Sequence, residues 1–182
     1  MDDKFQYRLT QNQKVEIAQN LIDILQNDVE ITQQTRTFIG NWILTDHTEK
    51  RKAFYDVWDI VLKNYLPETR PVLFRACDRI SRNGKIASFT GQLECARRFS
   101  DCKGSLIVCD TKDTLKLDEQ FRQPGEYKQT FYPIVSVLKK AKARGGCGFS
   151  ERILNDYIGE DEYIMRIELG NMYGFRWINK DM

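Results

Sequence analysis

The hydrophobic pattern of the chain changes period once, and that change constrains the fold more than any other feature. Before Pro67 the apolar residues recur at helical spacing. Val15, Ala18, Leu21, Ile22 and Leu25 form one set; Ile31, Thr35, Phe38, Ile39 and Trp42 a second; Phe54, Val57, Trp58, Val61, Leu62 and Tyr65 a third. Residues three and four apart share a helix face, so each set predicts a helix with one face turned to a core. Pro67 ends the third, because proline lacks the N–H that a continuing helix needs. From Pro71 the apolar runs are short. Val72 to Ala76 is such a run, Asn83-Gly84 is a turn signal, Lys85 to Thr90 alternates as a strand does, and Ser105 to Cys109 has the continuous apolar character of a buried strand. Thr114 to Leu117, Glu160 to Ile167 and Met172 to Ile178 are further expected strands.

Two helices are expected among these strands. Gly91 to Asp101 carries Leu93, Ala96 and Phe99 at one-face spacing. Pro133 to Ala143 has proline in its first turn and Lys139, Lys140, Lys142 and Arg144 near its end, where cations suit the helix dipole. Gly145-Gly146-Cys147-Gly148 then breaks the helix, and Gln123-Pro124-Gly125 marks a turn inside the weakly periodic segment 118–130. The fold class this predicts is α+β: N-terminal helices over residues 1–68, then a core of mainly antiparallel sheet over 69–182, in one compact unit.

Composition removes several classes of function. A net charge of +2 gives no general pull toward nucleic acid or anionic membranes, and the basic group Lys139–Arg144 is read as a solvated helix end. No apolar run reaches the roughly 20 residues that span a bilayer. The start, Met-Asp-Asp-Lys-Phe-Gln, lacks the basic and apolar segments of a signal peptide, so a cytoplasmic protein is expected. The cysteines, Cys77, Cys95, Cys102, Cys109 and Cys147, are odd in number and form no C-x-x-C pair, so reduced core thiols are expected and no metal site. His47 is the sole histidine and stands in a polar stretch, Thr45-Asp46-His47-Thr48, that reads as a loop. Chemistry in this chain must therefore rest on carboxylates, hydroxyls, arginines and backbone.

The segment that meets this requirement is Glu160-Asp161-Glu162-Tyr163-Ile164-Met165. On a strand, Glu160 and Glu162 would share a face, with Asp161 opposite. Adjacent carboxylates repel and burial raises the pKa of one, an arrangement that a fold seldom needs for stability. Earlier in the chain come Arg75, at the end of a strand, and Ser88-Phe89-Thr90, at the end of a strand that enters a helix.

An arginine, a hydroxyl motif and a Glu-x-Glu in this order resemble the arginine-serine-glutamate class of mono-ADP-ribosyltransferases. That class carries a strand arginine, a Ser-Thr-Ser-like motif leading into a helix, and a Glu-x-Glu before the final strands. Cys95-Ala96-Arg97-Arg98-Phe99-Ser100 looks like the helix pattern that follows the hydroxyl motif in the family. The layout, with N-terminal helices before a short core, is most similar to small phage-encoded enzymes that modify host proteins. The resemblance covers about residues 71–178. It departs at Ala76, where the family has glycine, at Ser-Phe-Thr for Ser-Thr-Ser, and at Glu168-Leu169-Gly170, where a proline-glycine is usual.

The resemblance implies NAD as substrate and no metal. Glu162 would be the catalytic carboxylate, stabilising an oxocarbenium-like ribose, and Ser88 would position it. Arg75 would grip the diphosphate, with Ala76, Ser88 and Thr90 completing the NAD-binding set. Glu160 would align and deprotonate an acceptor arginine. Tyr157 either stacks on the acceptor or simply packs. Phe121, Tyr127 or Phe131 would stack on the nicotinamide, and Arg122 would add a phosphate contact. The implied acceptor is a protein of the (host) cytoplasm, or an RNA end. The alternatives are an NAD glycohydrolase using the same Arg75, Ser88 and Glu162, and a non-catalytic interaction protein on a transferase fold.

Overall fold

The computed structural model describes residues 7–45, 52–77, 82–101, 103–114 and 130–177. Three helices come first: α1 (Gln11–Gln26), α2 (Gln33–Leu44) and α3 (Lys52–Asn64). Local chemistry fixes two of the starts. Thr10 and Gln13 form a reciprocal capping box, and the Thr32 hydroxyl accepts from the Thr35 N–H. The second and third stripes are buried as expected, from Ile31 to Trp42 and from Phe54 to Tyr65. The first is rotated: Ile17 and Ile24 are buried with Ala18, Leu21 and Ile22, while Val15 is 47% exposed. The i, i+4, i+7 row through Ile17, Leu21 and Ile24 defines the packed face.

The sheet has six strands in the order β4-β5-β2-β1-β3-β6. They are β1 (Val72–Cys77), β2 (Ile86–Thr90), β3 (Ser105–Asp110), β4 (Phe131–Pro133), β5 (Glu162–Arg166) and β6 (Tyr173–Arg176), and every described pairing is antiparallel. β1 and β2 meet at one register position only, Phe74 opposite Thr90. The central β2 is covered on both sides. Ile86 joins Tyr132, Ile134 and Ile164 in a core shared with α1–α3, whereas Ala87 and Phe89 join Leu73, Ile107, Cys109, Phe131, Met165 and Ile167 in a second core. By strand alternation Ser88, Thr90 and Glu162 fall on the helix-covered side, in line with Ile86 and Ile164. The helices are joined to that side by aromatic contacts, Trp42 to Trp58 at 5.5 Å and Trp58 to Tyr132 at 5.6 Å, and by the Tyr132 hydroxyl donating to the Leu21 carbonyl.

Four helices follow: α4 (Leu93–Ser100), α5 (Thr111–Thr114), α6 (Val135–Ala143) and α7 (Glu151–Gly159). Several expectations need correction here. Pro133 lies on β4, not in the first turn of α6. β4 is an edge strand, where a missing N–H leaves no ladder partner unsatisfied. Thr114 closes a short helix rather than opening a strand; residues 115–117 lie outside the described set. α7 has no counterpart in the expected elements, and it displaces the start of β5 to Glu162. On α4 the buried residues are Cys95, Ala96 and Ser100, while Leu93 and Phe99 are 42% and 64% exposed.

The basic end of α6 is tied to acidic neighbours: Lys140 to Asp28 at 2.7 Å, Lys142 to Glu151 at 3.0 Å and Arg144 to Glu30 at 2.9 Å. α6 ends in a Schellman motif, with Gly146 N–H donating to the Ala141 carbonyl and Gly145, at φ 91°, in the left-handed position. Among the described residues no helix is long and apolar enough to cross a membrane.

Candidate active site

The site is built where two chain reversals meet. One is the β2–α4 turn, Thr90-Gly91-Gln92; the other is the α7–β5 turn, Gly159-Glu160-Asp161-Glu162. Three hydrogen bonds join them. The Thr90 hydroxyl donates to the Glu160 carbonyl at 2.6 Å, Gly91 N–H to the Asp161 carbonyl at 3.0 Å, and the Gln92 amide to the Gly159 carbonyl at 3.0 Å. The approach is so close that a Cβ on Gly91 would collide with the Asp161 carboxylate. From the other side, Ile134 N–H donates to the Glu162 carbonyl at 2.9 Å. The acidic segment is thus held in place by its main chain.

The segment is a turn rather than a continuous strand. Glu160 caps α7 with helical dihedrals (φ −75°, ψ −14°), Asp161 is left-handed at φ 49°, and only Glu162 enters β5. Aspartate is among the few side chains that tolerate this region. The left-handed residue reverses the chain, so Glu160 and Glu162 reach one cleft by way of a helix cap and a strand start. Strand alternation, the reason expected from sequence, does not apply to Glu160. Asp161 is not among the cleft residues; its charge adds to burial in pushing the Tyr163 hydroxyl up to about 12.

The cleft has a volume of about 380 Å³, within the ~300–1,000 Å³ range usual for small-molecule sites. It brings together Arg75, Ala76, Ser88, Thr90, Tyr157, Glu160 and Glu162, which lie on four separate elements or their caps. Arg75 donates from Nη1 to the Ser88 carbonyl at 2.7 Å, which fixes its stem across β1 and β2. Its Nε is buried and, among the described residues, has no hydrogen-bond partner. Burial lowers the guanidinium pKa, while the nearby Cys77, Glu162 and Tyr55 oppose the shift. A largely desolvated cation with an unused donor is suited to an anionic ligand.

Burial, and next the charge of Glu162, hold the Glu160 carboxyl above the usual carboxylate range, with Arg98 pulling the other way. Thr90 is 5% exposed, and its hydroxyl is committed to backbone, donating to Glu160 and accepting from Gln92 N–H. It supports the acidic turn rather than presenting a free hydroxyl. Tyr157 packs edge-on against Phe149 at 6.2 Å and also lines the cleft.

Trp42, Ile43, Phe74, Phe89 and Phe99 complete the lining. Trp42 and Ile43 come from α2, so the N-terminal helices supply one wall. Trp42 is read from sequence as core and is indeed buried, yet it also lines the cleft. Phe99, expected on one face with Ala96, instead stands off the Cys95–Ala96 face that packs and is exposed beside the cleft. Phe131 is fully buried against Tyr163 in the second core and does not reach the cleft, so it cannot stack on a ligand there. Phe121, Arg122, Tyr127, His47 and Cys102 lie outside the described residues. Among the described residues no three His, Cys, Asp or Glu side chains converge as a metal would require.

The chain matches no protein-family model, and comparison with curated proteins and with solved structures finds no match.

Proposed function

We propose that this chain is an NAD-dependent mono-ADP-ribosyltransferase that acts on a protein acceptor through an arginine guanidinium. The observation that carries the reading is the convergence of Arg75, Ser88, Glu160 and Glu162 on one cleft, from positions up to 87 residues apart. Arg75 pairs with the NAD diphosphate through its planar fork, and its unused Nε supports that assignment. Glu162 stands beside the nicotinamide ribose. As the bond between ribose C1 and the nicotinamide nitrogen breaks, positive charge develops on the ribose, and a fixed carboxylate stabilises it. Nicotinamide leaves with the bonding electron pair and becomes neutral.

The acceptor nitrogen then forms the new bond to C1. A protonated guanidinium is a poor nucleophile, so its proton must pass to a base. Glu160 fits this role. Its raised pKa makes it a stronger base than an ordinary carboxylate, and it lies on the opposite side of the acidic turn from the start of β5. The half-buried ring of Tyr157 offers a flat surface to the incoming side chain.

The test is incubation with NAD labelled in its ADP-ribose half and a bacterial lysate. Labelled protein and released nicotinamide are expected with the wild-type chain, and neither with Glu162→Gln. Label that persists with Glu162→Gln, or nicotinamide that is not released at all, would overturn the reading.

A further inference from the structure

A side chain of the protein itself already occupies the outer side of Glu160. Arg98, on α4, places Nη2 3.7 Å from Glu160 Oε1. The same nitrogen is 3.7 Å from Cys95 Sγ, and the guanidinium carbon lies 5.7 Å from the centre of the Phe99 ring. Phe99 is 64% exposed and lines the cleft, so this cationic group stands at the cleft mouth.

The pair is unequal. Glu160 retains 18% of its side-chain exposure, Arg98 69%. The contact is longer than a hydrogen bond and one partner is well solvated, which is the weak class of ion pair. Arg98 is therefore poised to give way. An acceptor arginine that comes to Glu160 competes with it for the carboxylate and lies beside a second guanidinium. Two like charges a few ångströms apart repel. Arg97 adds no compensation, because it is a cation paired with Glu94 at 3.6 Å. An acceptor that carries a carboxylate next to its arginine resolves both problems, since its arginine takes Glu160 while its carboxylate takes Arg98.

We propose that Arg98 selects the acceptor: it holds the acceptor's place on Glu160 and yields to an arginine flanked by an acidic residue. The inference rests on the assignment of Glu160 as the carboxylate that receives the acceptor. Arg98 itself touches no reacting atom and acts as a specificity-determining residue.

The test uses the full chain, NAD and three peptides that differ only in the residue beside a single arginine: aspartate, asparagine or lysine. The wild-type chain is expected to show the lowest KM for the aspartate peptide, by roughly two- to five-fold against asparagine, with kcat little changed. The lysine peptide should be poorest. Arg98→Gln should erase the difference between aspartate and asparagine, and Arg98→Lys, which keeps the charge, should retain the ranking. A merely structural Arg98 would instead shift all three peptides together in both variants. Equal KM values in the wild type, or a ranking that survives Arg98→Gln, overturn the inference while leaving the transferase reading in place. No transfer to any peptide and no nicotinamide release would remove both.

Discussion

The hydroxyl of Thr90 donates to the main-chain carbonyl of Glu160 at 2.6 Å, across 70 residues of sequence. This bond joins the end of β2 to the turn that presents both glutamates, and it is part-buried, with Thr90 at 5% exposure. Thr90→Val keeps the shape and removes the hydroxyl, leaving the Glu160 carbonyl and the Gln92 N–H without this partner. The expected loss is about 1–3 kcal/mol of unfolding free energy, read by urea titration, with a fall in transfer rate at saturating NAD. Unchanged stability would mean that water replaces the hydroxyl.

Glu162→Gln should reduce both nicotinamide release and transfer by at least about a hundred-fold while the melting temperature stays near that of the wild type. The amide has nearly the carboxylate's shape but cannot offset positive charge on the ribose. Its main chain is held by Thr90-strand pairing and by Ile134, neither of which the substitution touches. More than about a tenth of wild-type rate would sink the assignment of a large electrostatic role to Glu162.

Arg75→Lys should raise KM for NAD with a smaller effect on kcat. Lysine keeps the charge but loses the planar fork that can serve the Ser88 carbonyl and a ligand phosphate together. Isothermal titration of NAD checks this directly, and unaltered affinity would make Arg75 a purely structural bridge between β1 and β2.

Gly91→Ala tests the contact between the two turns. The added methyl meets the Asp161 carboxylate, the far end of a half-exposed side chain that can turn aside, so the substitution should cost about 1 kcal/mol, the low end of overpacking. Asp161→Gly removes that carboxylate and relieves a residue at φ 49°. The double variant should therefore recover most of the loss, a coupling that a double-mutant cycle measures. If the two effects simply add, the turns do not press on each other in solution.

Much of this arrangement was legible in the chain, and the failures have physical causes. Helical stripes with aromatic members, such as Phe54 to Tyr65, report burial directly because one period accounts for the whole set. The strands β1, β2 and β3 were marked by turn signals and apolar runs. Arg75, Ser88 and Glu162 could be named in order from these strand signals, although Arg75 and Ser88 stand within β1 and β2 rather than at their ends. What sequence could not give was the geometry of the acidic turn. Alternation places Glu160 and Glu162 on one strand face, but that holds only if Asp161 is extended, and Asp161 is left-handed. α7 would have corrected this. Ser150 caps it and Glu151 stands in its first turn, although only Leu154 is fully buried, so its apolar stripe is short. The burial of Phe131 and the exposure of Phe99 have a related reason: a single aromatic in a short element carries no period, and its side is set by tertiary packing.

Glu160→Gln separates the two carboxylates by activity and by stability. If Glu160 serves only the acceptor, NAD cleavage by Arg75, Ser88 and Glu162 remains possible, and water can still capture the ribosyl cation. Nicotinamide release should persist, while transfer to arginine should fall by about a hundred- to ten-thousand-fold, the range of a lost general base. Stability should move the other way. Burial and Glu162 raise the Glu160 pKa in the folded chain, net of the Arg98 attraction. A group raised on folding contributes fully when protonated, below its unfolded pKa of about 4.3, and that contribution is lost as pH rises through the folded value. At neutral pH the ionised Glu160 is therefore a liability that the neutral amide lacks. Glu160→Gln should melt higher than the wild type at pH 7, and the two should converge as pH falls below the unfolded value. A variant that melts lower at neutral pH would show that the ion pair with Arg98 outweighs burial, and equal losses of cleavage and transfer would mean that the two glutamates act as one unit.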